Sequence, residues 1–304
     1  MLFSLTILGS GSALPTAERN HTAQVLQMDD RVILIDCGEG TQHQLRRFGI
    51  KFQKINHIYI SHLHGDHYLG LAGLLSTFHL QGRTRSLTIF GPKGLEEITR
   101  LQFDYAETKP GYPIEFVTLT DDKYPIYEDK VISVEAHPVP HRIPCWAFYF
   151  KEKPKKRNIN KEAVDSYNIP ISAYDRIKNG GDFVLPDGTV LKNTELTYNP
   201  PPRRSYAFVT DTGFNPVLAE KIHGVNLLYH EATFLHDMTE SATDKFHSTA
   251  RQAAEFAELC EAGQLVIGHF STRYKNADLL LQEAREVFPN TFAAEDGMEI
   301  LIAV

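Results

Sequence analysis

The chain has 304 residues, 42% hydrophobic and 23% charged, the make-up of a globular protein with one large domain or two small ones. Its 31 basic and 38 acidic side chains give a formal net charge of −7, which excludes indiscriminate nucleic-acid binding through a globally basic surface; a polyanion must be met locally, by cations or a basic patch. Cys37, Cys145 and Cys260 show no C-x-x-C spacing, there is no basic leader, and no apolar run approaches the roughly 18 residues that span a bilayer, so a soluble cytoplasmic protein is expected.

In chain order, residues 2–8 read as a strand ending in Gly9-Ser10-Gly11-Ser12. The unbroken apolar run Val32-Ile33-Leu34-Ile35 reads as a strand covered on both faces, leading into Asp36-Cys37-Gly38-Glu39-Gly40. Residues 55–61, rich in β-branched and aromatic side chains, form another. Leu71, Leu74, Leu75 and Phe78 then repeat at amphipathic spacing and predict a helix over 67–78. Strands follow at 87–90, 115–119, 131–136 and 147–150, with a helix over 94–105. After a polar interval come strands at 205–210, 225–230 and 265–267 and helices at 249–261 and 277–288, with Gly263 suited to ending the first of these helices. The order predicts an α/β protein, a layered sandwich of sheets covered by helices.

The polar interval, residues 151–202, breaks the pattern. Lys151, Lys153, Lys155, Lys156, Arg157 and Lys161 make a basic run whose one acidic interruption is Glu152, and Asn179-Gly180-Gly181-Asp182, Pro186-Asp187-Gly188 and Pro200-Pro201-Pro202 are turn or breaker signals. It reads either as a solvated loop or as an inserted arm that supplies RNA with the positive charge the whole chain lacks.

The chemistry is concentrated in His62-Leu63-His64-Gly65-Asp66-His67, four potential metal ligands within six residues. Two histidines at i and i+2 project to one side of an extended segment, and a carboxylate and a third imidazole follow at once, between a strand and a helix that fix the loop. Four ligands are too few for two metals. His141, Asp211 and His269 each end an apolar run, where a sheet presents residues at its edge, and together with the cluster they complete a binuclear set. Asp36 and Glu39, in a glycine-punctuated strand end, suit hydrogen bonds to ligand histidines better than ligation itself.

H-x-H-x-D-H followed by distant His, Asp and His resembles the ligand pattern of the metallo-β-lactamase superfamily. Within it the chain is similar to the ribonuclease Z family, in segments that run nearly end to end: Ile7-Leu8-Gly9-Ser10-Gly11, Asp36-Cys37-Gly38-Glu39-Gly40-Thr41-Gln42, the metal loop, His230-Glu231-Ala232-Thr233-Phe234, His247-Ser248-Thr249-Ala250 and His269-Phe270-Ser271-Thr272-Arg273-Tyr274. The resemblance implies a single αββα domain over 1–304 with residues 151–202 as an inserted tRNA-binding arm. It implies two Zn²⁺ per chain, Mn²⁺ being tolerated by the same donors, one held by His62, His64 and His141 and the other by Asp66, His67 and His269, with Asp211 bridging. It further implies hydrolysis at the 3′ end of precursor tRNA that leaves a 3′-hydroxyl, with Asp66 orienting or deprotonating the attacking water and His247, held by Glu231, protonating the leaving oxygen. Arg273 and the arm's Lys155, Lys156 and Arg157 would contact RNA, and the enzyme would be a homodimer whose arm serves the partner subunit's site. The family's usual Gly-Pro pair in the arm is replaced here by Ile169-Pro170-Ile171-Ser172-Ala173-Tyr174. Two other functions are compatible with the same residues: a hydrolase of a small phosphodiester, thioester or lactam, and a non-catalytic RNA-binding protein of this fold.

Overall fold

A computed structural model describes residues 2–121 and 124–303; residues 1, 122, 123 and 304 of the expected single domain lie outside it. The chain forms two compact units, one of Met1–Asp129, Ser133–Lys151 and Arg204–Val304, the other of Lys130–Ile132 and Glu152–Arg203.

The larger unit carries two seven-stranded sheets among its described residues. The first sets β1 (Phe3–Gly9), β2 (Ala23–Met28), β3 (Arg31–Ile35), β4 (Ile55–Tyr59), β5 (Leu87–Gly91) and β6 (Ile114–Thr118) side by side. The second sets β7 (Tyr127–Glu128), β8 (Ile132–Val139), β9 (Cys145–Glu152), β10 (Ser205–Val209), β11 (Leu227–Glu231), β12 (Gln264–Gly268) and β13 (Thr291–Ala293) in the same sequential way, and β14 (Glu299–Leu301) closes the outer edge of the first sheet against β1. β3 to β6 are parallel, as are β10 to β13. The sheets meet face to face: the Tyr59 ring sits edge-on to Phe148 and Phe150 at 5.4 and 5.3 Å, and the Tyr206 hydroxyl donates to the Gln24 carboxamide. Helices cover the outer faces, as patterning predicts. Leu71, Leu74, Leu75 and Phe78 of one helix join Leu34, Ile58 and Ile89 in one core, while Ala253, Ala254, Phe256 and Ala257 of another are buried towards β11 and β12. No helix among the described residues is long and apolar enough to cross a membrane.

Three local departures from the sequence expectation have physical causes. The helix expected over 67–78 is two helices, α1 (Gly65–Tyr68) and α2 (Leu71–Leu80). The chain breaks at Gly70, whose backbone N–H donates to the Cys37 carbonyl at 2.9 Å; a Cβ on Gly70 would stand 2.2 Å from the Gly38 carbonyl oxygen. Gly263 does not end the helix at 250–259: the C-cap is Cys260 and the left-handed residue is Glu261, while Gly263 is small because a Cβ would meet the Asn226 carbonyl at 2.8 Å. Strand β2 escapes periodicity because Gln24, fully buried and bonded to Tyr206, interrupts its apolar run.

The smaller unit has a core of its own in Val164, Ile169, Ile177, Leu191 and Leu196. Short helices at Lys161–Ser166, Tyr174–Lys178 and Asn193–Leu196 surround it, with two-stranded ribbons pairing Asn158–Ile159 to Thr197–Tyr198 and Phe183–Val184 to Val190–Leu191. Asn160 caps the first helix by accepting from the Ala163 N–H at 3.3 Å, and the Asn193 amide donates to the carbonyls of Ile177 and Gly181 at 2.6 and 3.0 Å. The turn signals in the sequence therefore mark connections between small packed elements.

Candidate metal centre

All but one of the residues of the centre stand at the end of a strand or on the turn that follows it; His247 follows the short helix Thr239–Lys245. Asp36 follows β3, the His62–His67 loop follows β4, His141 follows β8, Asp211 follows β10, Glu231 ends β11, and His269 follows β12. Ligands gather at the carboxyl ends of parallel strands because the chain must turn there, freeing side chains from the ladder. Four residues at this edge hold left-handed backbone without being glycine: Asp36 at φ 54°, Asp211 at 45°, Phe246 at 59° and His269 at 58°. Asp and His adopt this region more readily than most residues, and a bulky side chain there carries a cost of order 1–3 kcal/mol. The metal loop closes on the first of these strand ends through Gly38, where a Cβ would lie 2.4 Å from the Asp66 carbonyl.

The side chains form two sets with one residue common to both. His62 Nε2 lies 3.0 Å from His64 Nδ1, which lies 3.1 Å from His141 Nε2. Nitrogens that share a tetrahedral ion at about 2.0–2.1 Å stand about 3.3 Å apart, close to this spacing. In the second set His67 Nε2 and His269 Nε2 lie 3.3 and 3.5 Å from the same oxygen of Asp66. Asp211 faces both: its Oδ2 is 3.7 and 3.8 Å from His62 and His141, its Oδ1 3.3 and 3.1 Å from His67 and His269. One carboxylate thus offers an oxygen to each set. The Nε2 atoms of His67 and His269 are buried without a hydrogen-bond partner, an arrangement that costs free energy unless a cation takes the lone pairs. Burial also holds His62, His64 and His141 below the ordinary histidine value, leaving them neutral with a lone pair to give. The donor set fits divalent cations.

Two carboxylates stand behind the ligands. Asp36 accepts from His67 Nδ1 at 2.7 Å, and Glu231 accepts from His247 Nδ1 at 2.9 Å. Burial alone would depress the His247 imidazolium, but the charge and hydrogen bond of Glu231 outweigh it and push the group up to about 9. His141 Nδ1 is aimed at the Phe246 carbonyl oxygen, 3.3 Å away. Glu39, the other candidate for such a role, is exposed at the rim.

A cleft of about 730 Å³ opens over the centre. Arg142, Lys245 and Arg273 line it with Leu69 and Phe234, which gives the cleft both cationic and apolar surface around the ligands. The structure brings His62, His64, Asp66, His67, His141, Asp211, Glu231, His247, His269 and Arg273 together, as the sequence leads one to expect. Lys155, Lys156 and Arg157 belong to the smaller unit, where they pair with Glu152 at 3.0 Å, Asp175 at 2.5 Å, and Thr197 and Asn199 at 2.6 and 2.5 Å. Arg142 and Lys245 escape sequence reading because nothing distinguishes them from surface cations, although Arg142 adjoins a ligand and Lys245 lies two residues before His247. Ser61 and Thr233, whose hydroxyls stand between ligand imidazoles and buried carboxylates, likewise carry no signal beyond their adjacency to motif residues.

Relatives match the chain over nearly its full length. A protein of Bacteroides fragilis (strain YCH46) named Ribonuclease Z is 47% identical over 297 residues, covering 97% of this chain and 98% of its own length. The chain belongs to the ribonuclease Z family. Its activity is accordingly that of a metal-dependent endoribonuclease. Among solved structures, human tRNase Z, short form, is 27% identical with a TM-score of 0.71 and full coverage (99% of this chain, 100% of that one). The metallo-beta-lactamase fold protein YhfI from Bacillus subtilis, 18% identical with a TM-score of 0.71, shares the fold. A family model described as Anti-Pycsar protein Apyc1 matches residues 3–100, the part that carries the metal loop.

Proposed function

We propose that the chain removes the 3′ trailer of precursor tRNA by hydrolysing one phosphodiester, leaving a 3′-hydroxyl on the tRNA and a 5′-phosphate on the trailer. The observation that carries the reading is Asp211, whose two oxygens face two separate imidazole sets, the arrangement a two-cation phosphodiesterase needs. His62, His64 and His141 would hold one Zn²⁺, Asp66, His67 and His269 the other, with Asp211 between. Bound there, the pair supplies Lewis acidity to the phosphoryl oxygens and acidifies water.

The chain's own groups do the rest. Asp66 orients the attacking water and takes its proton; as the bond from phosphorus to the 3′ oxygen breaks, His247 gives that oxygen a proton, so the leaving group departs as a hydroxyl. Glu231 keeps His247 protonated and fixes its ring. Arg142, Lys245 and Arg273 neutralise phosphates flanking the scissile bond, and the smaller unit, through Lys155, Lys156 and Arg157, grips the tRNA body from a homodimer in which each arm serves the partner subunit's site. The setting would be the cytoplasm.

The test is incubation with a precursor tRNA that carries a 3′ trailer, mapping both product ends, beside Asp66→Ala and with the metal content measured. Cleavage next to the discriminator base, two zinc ions per chain and an inactive variant are expected. Cleavage elsewhere would remove tRNA trailer processing; fewer than two ions without rescue by zinc would remove the two-cation mechanism.

A further inference from the structure

Two buried carboxylates, one from each sheet, hold the centre in the same way. Asp36 accepts from the Ser61 backbone N–H at 2.7 Å, the Ser61 hydroxyl at 2.8 Å and His67 Nδ1 at 2.7 Å. Glu231 accepts from the Thr212 backbone N–H at 2.7 Å, the Thr233 hydroxyl at 2.5 Å and His247 Nδ1 at 2.9 Å. Each set thus joins one carboxylate to one backbone N–H beside a ligand, one imidazole and one hydroxyl. Both hydroxyl oxygens also lie 3.0 Å from the Nδ1 of a second imidazole, His62 for Ser61 and His269 for Thr233.

The direction of these bonds follows from counting protons. A hydroxyl has one hydrogen and two lone pairs. An ionised carboxylate can only accept, so each hydroxyl gives it the hydrogen and can only accept from the imidazole. His62 and His269 must therefore carry their proton on Nδ1 and present a bare Nε2, the atom each turns towards Asp211. Thr233 has a second acceptor in the His269 carbonyl at 3.1 Å, but the carboxylate at 2.5 Å is closer and charged. An apolar residue in place of either hydroxyl would free the ring to rotate or change tautomer, and half of those states offer an N–H where a lone pair is needed.

We propose that Ser61 and Thr233 are positioning residues that set the tautomer of one ligand imidazole at each cation: Ser61 for the ion of His62, His64 and His141, Thr233 for the ion of Asp66, His67 and His269. The two hydroxyls thus divide between the two ions, whereas the carboxylates behind them do not: Asp36 also holds His67, a ligand of the second ion, and Glu231 holds His247. The inference rests on the two-cation reading above, and its test separates the two.

The experiment is zinc titration of the intact apoprotein against a chromogenic chelator, which resolves two binding steps. Thr233→Val should weaken one step by about 10–100-fold, the usual effect of losing such support, and leave the other within about threefold. Ser61→Ala should do the reverse. Thr233→Ser, which keeps the hydroxyl, should restore wild-type affinity. Each loss should vanish in the background of its own ligand, Thr233→Val adding nothing to His269→Ala and Ser61→Ala nothing to His62→Ala, because the hydroxyl acts only through that ring. Imidazole ¹⁵N shifts of His269 in the metal-free protein give a second readout, with Nδ1 protonated in wild type and in Thr233→Ser; should valine prevent folding, Thr233→Ala replaces it. Two steps of wild-type affinity in Thr233→Val, equal loss in Thr233→Ser, or additive losses in the double variants would overturn the proposal while leaving two-cation binding intact. A wild-type protein that takes up fewer than two ions would overturn the reading beneath it.

Discussion

At the cleft, Asp36, Asp211 and Glu231 are at most 3% exposed and their oxygens are met by named imidazoles, hydroxyls and backbone N–H groups. In the smaller unit, Lys156 pairs with Asp175 while their side chains remain 53% and 78% exposed, and Lys192 pairs with Asp182 at 64% and 38%. Breaking the first kind of pairing strands a buried polar or charged partner at a cost of several kcal/mol, whereas the second kind exchanges readily with water and is easily replaced. Chemistry is therefore confined to a few obligatory residues, whereas recognition can be spread over many replaceable ones.

Substitutions graded from cleft to arm sharpen that contrast. Asp211→Asn keeps a residue that accepts left-handed backbone but removes the shared charge, so it should fold, lose bound zinc and cut kcat by roughly 10³-fold or more, since each cation contributes several kcal/mol at the transition state. An Asn variant that keeps two ions and wild-type turnover would break the comparison at its strongest point. His247→Ala should lower kcat by about 10²–10⁴-fold with metal content intact. The sign of the pH effect follows from its raised value: a donor sitting near 9 is competent below that pH and is lost as pH rises through it. Glu231→Gln removes the charge that raises it, so the alkaline fall in kcat should move to lower pH; an unmoved limb would take the proton-donor role from His247.

In the arm, Lys155→Ala, Lys156→Ala and Arg157→Ala combined should raise KM for precursor tRNA roughly tenfold and flatten its salt dependence by about one logarithmic unit for every phosphate left without its cation, with turnover of a small chromogenic phosphodiester unchanged. Equal losses on both substrates would mean that the arm supports the cleft rather than the RNA. The smallest effect is expected for Arg142→Ala, a rise in KM of about threefold at most, because a rim cation in water is well screened.

Legibility in the sequence follows the same division. The six-residue cluster, His141, Asp211 and His269 could be read because metal chemistry admits few residue types and because apolar runs lead to each of them. Most strands and the longer outer helices were legible from apolar runs and spacing; β2, where a buried glutamine imitates a polar face, and the short β7, β13 and β14 were not. Gly263 misled because a glycine required by close backbone approach looks the same in sequence as one required by a helix end. Ser61, Thr233, Arg142 and Lys245 were silent, since a hydroxyl or a cation gains its role only from what folding sets beside it. The core of the smaller unit was hidden for another reason: its apolar residues are separated by short turns, so none of its helices is long enough to show a period.

The left-handed backbone at Asp36, Asp211 and His269 also shapes how this protein could decay in evolution. Asn and Gly suit such φ angles as well as Asp or His does, whereas branched and bulky residues do not. Mutational drift at these three positions is thereby channelled towards residues that preserve the architecture and abolish the charge. A descendant freed from catalysis would keep its sheets and carry Asn or Gly at the old strand ends, so silenced copies of this enzyme should be recognisable by which residues replaced the ligands.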